Sequence, residues 1–188
     1  MTAPGFAARR GYFFLAGGVL IVDQISKAVA HHYLSERAAL QIVPGFFSFW
    51  YSRNPGGLFG SFRDWGAPLR FVLLTVLPLI AVGFISVYLA RTRAVDRPTL
   101  LGLAFILGGA VGNLIDRIFR GEVIDFLDVY VSSPKLADWL VQTFGTAHWP
   151  TFNVADSAIV VGACLLLLAI VRPPQPVAAD AEPPTAQT

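Results

Sequence analysis

The stretch PTLLGLAFILGGAVGNLIDR, residues 98 to 117, decides how this chain is read. From Pro98 to Ile115 it is almost entirely apolar or small, and its length approaches the 20 or so residues a helix needs to cross the hydrocarbon core of a bilayer. Asn113, Asp116 and Arg117 gather at one end of the run, where a membrane helix carries polar side chains only for a reason. Gly108 and Gly112 give it a G-x-x-x-G spacing, whose ordinary meaning is close packing against another helix.

Three more segments match: Gly11 to Ala30, Ala67 to Ala90 and Phe152 to Val171. Pro78, inside the second of these, predicts a local bend. The chain of 188 residues is 55% hydrophobic and 14% charged, so lipid rather than water is its main solvent. A net charge of +2 with no basic stripe argues against nucleic-acid binding. Cys164 lies within the apolar run 158 to 171, cannot form an intrachain disulfide and reads as a buried packing residue.

The first span has a rival reading. Arg9 and Arg10, the apolar run Gly11 to Val22, and Ala28-Val29-Ala30 together fit a cleavable secretory signal. Asp23 and Lys27 stand between run and cleavage site, four residues apart on one helical face, as a retained polar pair would. Cations are densest in the amino-terminal segment, in the connection holding Arg91, Arg93 and Arg97, and at Arg172; the two longer loops carry fewer per residue. This places both termini in the cytoplasm. Trp50, Trp65, Trp139 and Trp149 all lie in or beside the longer loops, as interface anchors do. Residues 173 to 188, rich in Pro and Ala, read as a disordered tail beyond a domain of residues 1 to 172.

In this topology Asp23, Lys27, Asn113, Asp116, Arg117, Asp125 and Asp156 all fall near the outer face. Acids from separate helices at one level are a functional site or a structural clamp. Asp23 with Lys27 reads as supporting structure, and Asp116 with Arg117 as either. Leu40 to Val43, Phe46 to Ser52 and Val123 to Val131 have strand composition, with Pro44-Gly45 as a turn. Asn54-Pro55-Gly56-Gly57 follows as a bend that would offer backbone donors and an amide.

Two carboxyl groups sharing a proton can hydrolyse a peptide bond, one polarising the carbonyl while the other activates water. Asp125 and Asp156 fit that need; Asp128, three residues on, reads as a solvated loop or strand residue. His31, His32 and His148 lack H-E-x-x-H spacing, which disfavours a zinc site. Ser26 and Lys27 are adjacent, hence on different helical faces, and make a poor dyad. A proton-coupled transporter would use the same acids, but the single short unit shows no repeats. A noncatalytic lipid- or helix-binding protein would use the glycine-rich span.

In order, the chain carries DQISK at 23 to 27, NPGGLFG at 54 to 60, GGAVGNLIDR at 108 to 117, VIDF at 123 to 126 and FNVADSAI at 152 to 159. This ordered set closely resembles the bacterial lipoprotein signal peptidases (signal peptidase II). The resemblance implies an aspartic endopeptidase of the inner membrane that removes signal peptides from diacylglyceryl-modified prolipoproteins, cutting before the lipidated cysteine. It implies Asp125 and Asp156 as catalytic residues, with Asp23, Lys27, Asn54, Gly56, Gly108, Asn113, Arg117 and Asn153 in support. No cofactor or metal is expected, and the partners are prolipoprotein substrate and membrane lipid, with the protein acting as a monomer. The implied fold is an all-α membrane protein of four transmembrane helices with a small extracytoplasmic β-cradle. The resemblance also retains the first span. One departure is the length of the stretch between the two aspartates; within it Leu136, Trp139, Leu140 and Phe144 have the spacing of an interfacial amphipathic helix.

Overall fold

Lipid offers the backbone no hydrogen-bond partners, so apolar runs of this length must satisfy themselves as helices. The computed structural model describes residues 6–55, 66–92 and 96–171 and contains four helices long and apolar enough to span a membrane. These are α1 (Phe6–Leu34), α2 (Ala67–Arg91), α3 (Arg97–Arg120) and α5 (Val154–Val171), with a short helix α4 (Pro134–Phe144) before the last. The strands are β1 (Leu40–Val43), β2 (Phe47–Asn54) and β3 (Val123–Val129). Gly56 and the tail 173 to 188 lie outside the described residues.

Central α3 packs against α1, α2 and α5 and is the most buried span. Its glycines make this possible. A Cβ on Gly108 would lie 2.5 Å from the Ala16 carbonyl oxygen, and one on Gly109 would strike the Ala155 carbonyl. On α5, a Cβ on Gly162 would lie 2.5 Å from the Gly102 carbonyl oxygen. Gly108 is therefore a packing position between α1 and α3. We expect Gly109→Ala to push out the first turn of α5, costing about 1–3 kcal/mol and lowering turnover. Gly162→Ala, deeper in the bundle, should lower thermal stability in detergent while leaving turnover close to wild type.

Helix α1 runs from Phe6 to Leu34, longer at both ends than the expected Gly11 to Ala30, and two further boundaries differ from the sequence reading. Helix α3 continues past Ile115 to Arg120, because Asp116 finds its partners inside the protein. Helix α5 starts at Val154 rather than Phe152, because Phe152 pairs with Leu127 and Asn153 caps the helix. Ahead of Pro78 the expected bend takes the form of a π-helical turn, Val72–Val76, closed by Leu77 N–H donating to the Val72 carbonyl. A wider turn makes room where proline lacks a donor and crowds the preceding backbone. Cys164 is exposed on the outside of α5, not buried; lipid covers a small apolar side chain as well as protein does.

The strands form one antiparallel sheet in the order β1-β2-β3. Gly121, at φ 79°, ends α3 and turns the chain into β3 within two residues. The register shifts between Phe49 and Ser52, where Trp50 and Tyr51 together oppose Phe126. Beyond this bulge Ser52 faces Asp125 and Asn54 faces Val123, so Asn54 reaches Asp125 diagonally on one face. The free edge of β3 is covered by residues 147 to 152 through bridges Tyr130 to His148 and Leu127 to Phe152. Strand β3 is thereby paired along both edges, and its side chains from Val123 to Phe126 are buried on both faces.

Candidate active site

Asn153 brings the two aspartates together. As the cap of α5, its Oδ1 accepts from the Asp156 backbone N–H (2.9 Å), while Asp156 Oδ2 accepts from the Asn153 backbone N–H (3.2 Å). This reciprocal arrangement is the geometry of a capping box and fixes the Asp156 carboxylate at the start of the helix, where the helix dipole favours negative charge. The same Asn153 uses Nδ2 to donate to Asp125 Oδ1 at 2.7 Å. One side chain thus holds a carboxylate from β3 and another from α5. Asn54 Nδ2 donates to the other Asp125 oxygen at 3.0 Å, and Asn113 Nδ2 to Asp156 Oδ1 at 2.8 Å.

Asp125 is only 1% exposed. Burial pushes its pKa up to about 7, the Asp156 charge adds to the rise, and the amides of Asn54 and Asn153 oppose it. Asp156 is partly open to its surroundings. Arg117, half-buried one turn beyond Asn113, places a positive charge that acts on Asp156, Asp125 and Asp116.

Behind the pair lies Lys27, fully buried. Its ammonium group spends its three N–H bonds on Asp23 Oδ2 (2.9 Å), Asp116 Oδ2 (2.8 Å) and Asn113 Oδ1 (2.9 Å). Asp23 Oδ1 accepts from the Ala155 N–H at 2.9 Å, pinning α5 to α1; Asp116 Oδ2 accepts from the Ile124 N–H at 3.3 Å, pinning the start of β3. Arg120 pairs with the second oxygen of Asp116. Asp23, Lys27 and Asp116 thus form one buried charge cluster, which Asn113 joins to Asp156.

Sequence reasoning missed two members of this network. Gln24 donates through Nε2 to Asp23, the Gly112 carbonyl and Asp116, and Arg120 reaches Asp116. The four-residue spacing of Asp116 and Arg120 was the available signal. Asp128 is a correction. Instead of being solvated it is 2% exposed, accepting from Ser48 Oγ at 2.8 Å and contacting His148 Nδ1 at 2.9 Å. Its neighbour on the chain is an ordinary strand residue; only the pairing of β3 on both edges encloses it.

The family model for signal peptidase (SPase) II matches residues 15–172. A lipoprotein signal peptidase of Syntrophus aciditrophicus is 42% identical over 165 residues, covering 86% of this chain and 92% of the relative. One from Solibacter usitatus is 40% identical over 159 residues, covering 85% and 89%. A solved bacterial membrane enzyme shares the fold, with a TM-score of 0.70 over 92% of this chain and 98% of that one, at 22% identity. The match begins within the first span and ends beyond the fourth, and the relatives align over most of both lengths: the chain belongs to the signal peptidase II family.

Proposed function

We propose that Asp125 and Asp156 are the catalytic acids with which this membrane peptidase removes the signal peptide from diacylglyceryl-modified prolipoproteins. The observation that carries the reading is the shared Asn153, which holds a buried carboxyl of raised pKa and a partly open carboxylate in one hydrogen-bonded unit. Asp125 holds the proton; Asp156 is the base. Asp156 takes a proton from water, the water oxygen adds to the scissile carbonyl carbon, and the Asp125 proton passes to the carbonyl oxygen. Collapse then breaks the C–N bond as the proton held by Asp156 moves to the departing amine and a hydroxyl of the tetrahedral intermediate returns its proton to Asp125, which restores the starting state of the pair. The new amino terminus is the lipidated cysteine.

The reaction site lies near the outer face of the inner membrane, with both termini cytoplasmic. Supporting this are the density of Arg in the short segments and the exposed Trp50, Trp139 and Trp149 around the sheet. Asp23, Lys27, Asn113 and Asn153 position the acids, Asn54 steadies Asp125, and the Arg117 charge acts on both aspartates. The protein acts as a monomer.

The pH dependence tests the assignment. Since Asp125 must carry a proton, kcat/KM for a diacylglyceryl prolipoprotein should fall as pH rises through about 7. The folding contribution has the same sign. A carboxyl whose folded pKa is raised contributes stability below its ordinary value of 3.8, and that contribution is lost as pH rises through about 7. A cleavage rate that climbs steadily from pH 6 to pH 9 is incompatible with Asp125 as the acid.

A further inference from the structure

The segment between β3 and α5 forms a closed excursion. Val131 N–H donates to the Ala147 carbonyl at 3.0 Å, Trp149 N–H to the Val129 carbonyl at 2.8 Å, and Ser132 N–H to the Gly45 carbonyl at 3.2 Å. Inside this stem lie the Asp128 contacts with Ser48 and His148, and the His148 ring stacks on Tyr130 with centroids 5.2 Å apart. The stem is therefore fixed to the sheet, and α4 is carried at its tip.

Helix α4 itself buries no residue. Leu136, Leu140 and Phe144 share one side, with Trp139 at its border against Phe144; Lys135, Asp138 and Gln142 share the other. Trp139 is 55% and Phe144 66% exposed. What covers the apolar side follows from its neighbours. The stem returns through exposed Trp149 and, five residues later, enters α5, whose outward residues Val160 and Val161 are exposed on a membrane span. The stem that carries α4 therefore returns to the end of a membrane span, which sets the exposed apolar side of α4 at the edge of the bundle's lipid-facing surface rather than in open water. Lys135 and Asp138 cancel in charge, so no attraction to anionic headgroups is built in.

We propose that α4 is a lipid-surface anchor, lying along the interface of the leaflet nearest the sheet with Leu136, Leu140 and Phe144 in the acyl boundary and Lys135, Asp138 and Gln142 in water. The anchor holds through apolar burial, independent of lipid charge. It ties the sheet carrying Asp125 to the membrane surface. On the topology proposed above that leaflet is the outer one; the contact with lipid does not depend on it.

The full chain carrying Cys164→Ala and either Leu140→Cys or Asp138→Cys, labelled with an environment-sensitive fluorophore, tests this in phosphatidylcholine vesicles with and without phosphatidylglycerol. At position 140 the label should be blue-shifted and quenched by shallow spin-labelled lipid equally in both vesicles and at high salt; at 138 it should report water. A water-like signal at 140, quenching that needs anionic lipid, shielding only when prolipoprotein is added, or disulfide pairing between two unlabelled 140 positions would each overturn the anchor. A second variant replaces residues 133 to 145 by Asn-Gly, since the stem already holds 131 and 147 together. Its cleavage rate in detergent should match wild type, with KM in vesicles raised about tenfold at unchanged kcat. An unchanged KM in vesicles, or lost cleavage in detergent, would reject the proposal. Failure of the peptidase reading shows separately, as absence of product from the unmutated chain.

Discussion

Asp125→Asn and Asp156→Asn should each lower prolipoprotein turnover by about 10³-fold or more, and the double variant should be little worse than either alone, because the two groups act as a unit. An amide at 125 supplies no proton of useful acidity to the carbonyl oxygen; an amide at 156 takes none from water. The stability consequences differ. Both Asp125 oxygens already receive donors, from Asn153 and Asn54, so the NH2 of an introduced amide must face one of them. That mismatch costs about 1–3 kcal/mol but removes a group that resists ionisation in its buried site, so the variant should lose less stability between pH 5 and pH 8 than wild type does. Turnover by mass spectrometry and melting in detergent separate the two effects. Either single variant within tenfold of wild type, while folded, excludes the pair as the catalytic acids.

The spans were legible because hydrocarbon leaves the backbone one solution, and apolar runs such as Pro98 to Ile115 announce it. The strands were legible in outline, since β-branched and aromatic residues around Pro44-Gly45 and at Val123 to Val131 have little other use. Asn153 and Asp156 were legible as members of a motif, but the capping box that makes them one unit was visible only in the backbone. The fate of Asp128 was hidden for a different reason. Its burial depends on residues 147 to 152 returning along the far edge of β3, a pairing that bridges some 20 residues and includes an unexpected stem. Cys164 is exposed where its apolar run predicts burial, because hydrophobicity in a membrane span does not distinguish lipid from protein neighbours. Arg120 sits at the last turn of α3, where a cation needs no special explanation, and Gln24 is an uncharged residue whose partners lie on another helix. Only the geometry shows that they complete the shell around Asp116.

Lys27→Met should destabilise the fold by about 3–5 kcal/mol, far more than the loss of an exposed ion pair. Lys27 and Arg120 balance Asp23 and Asp116, two cations against two anions. Removing Lys27 does not strand both carboxylates equally. Asp116 retains Arg120, whereas Asp23, fully buried, loses its cation while still bound to the Ala155 N–H. Relief should therefore come from neutralising Asp23 specifically. In the double variant Lys27→Met with Asp23→Asn, the amide oxygen can still accept from Ala155, so α5 stays pinned without a stranded charge. Melting in detergent should drop by roughly 10 °C for Lys27→Met and recover in part for the double variant, whereas pairing Lys27→Met with Asp116→Asn should recover less because Asp23 stays without a cation and Arg120 loses its carboxylate, keeping only Gln24 Oε1 and a neutral amide. Turnover should follow the same order, since Asp23 and Asp116 hold the starts of the two elements that carry Asp156 and Asp125. If Lys27→Met melts like wild type, or both double variants recover alike, the buried ammonium is not what holds these elements in register.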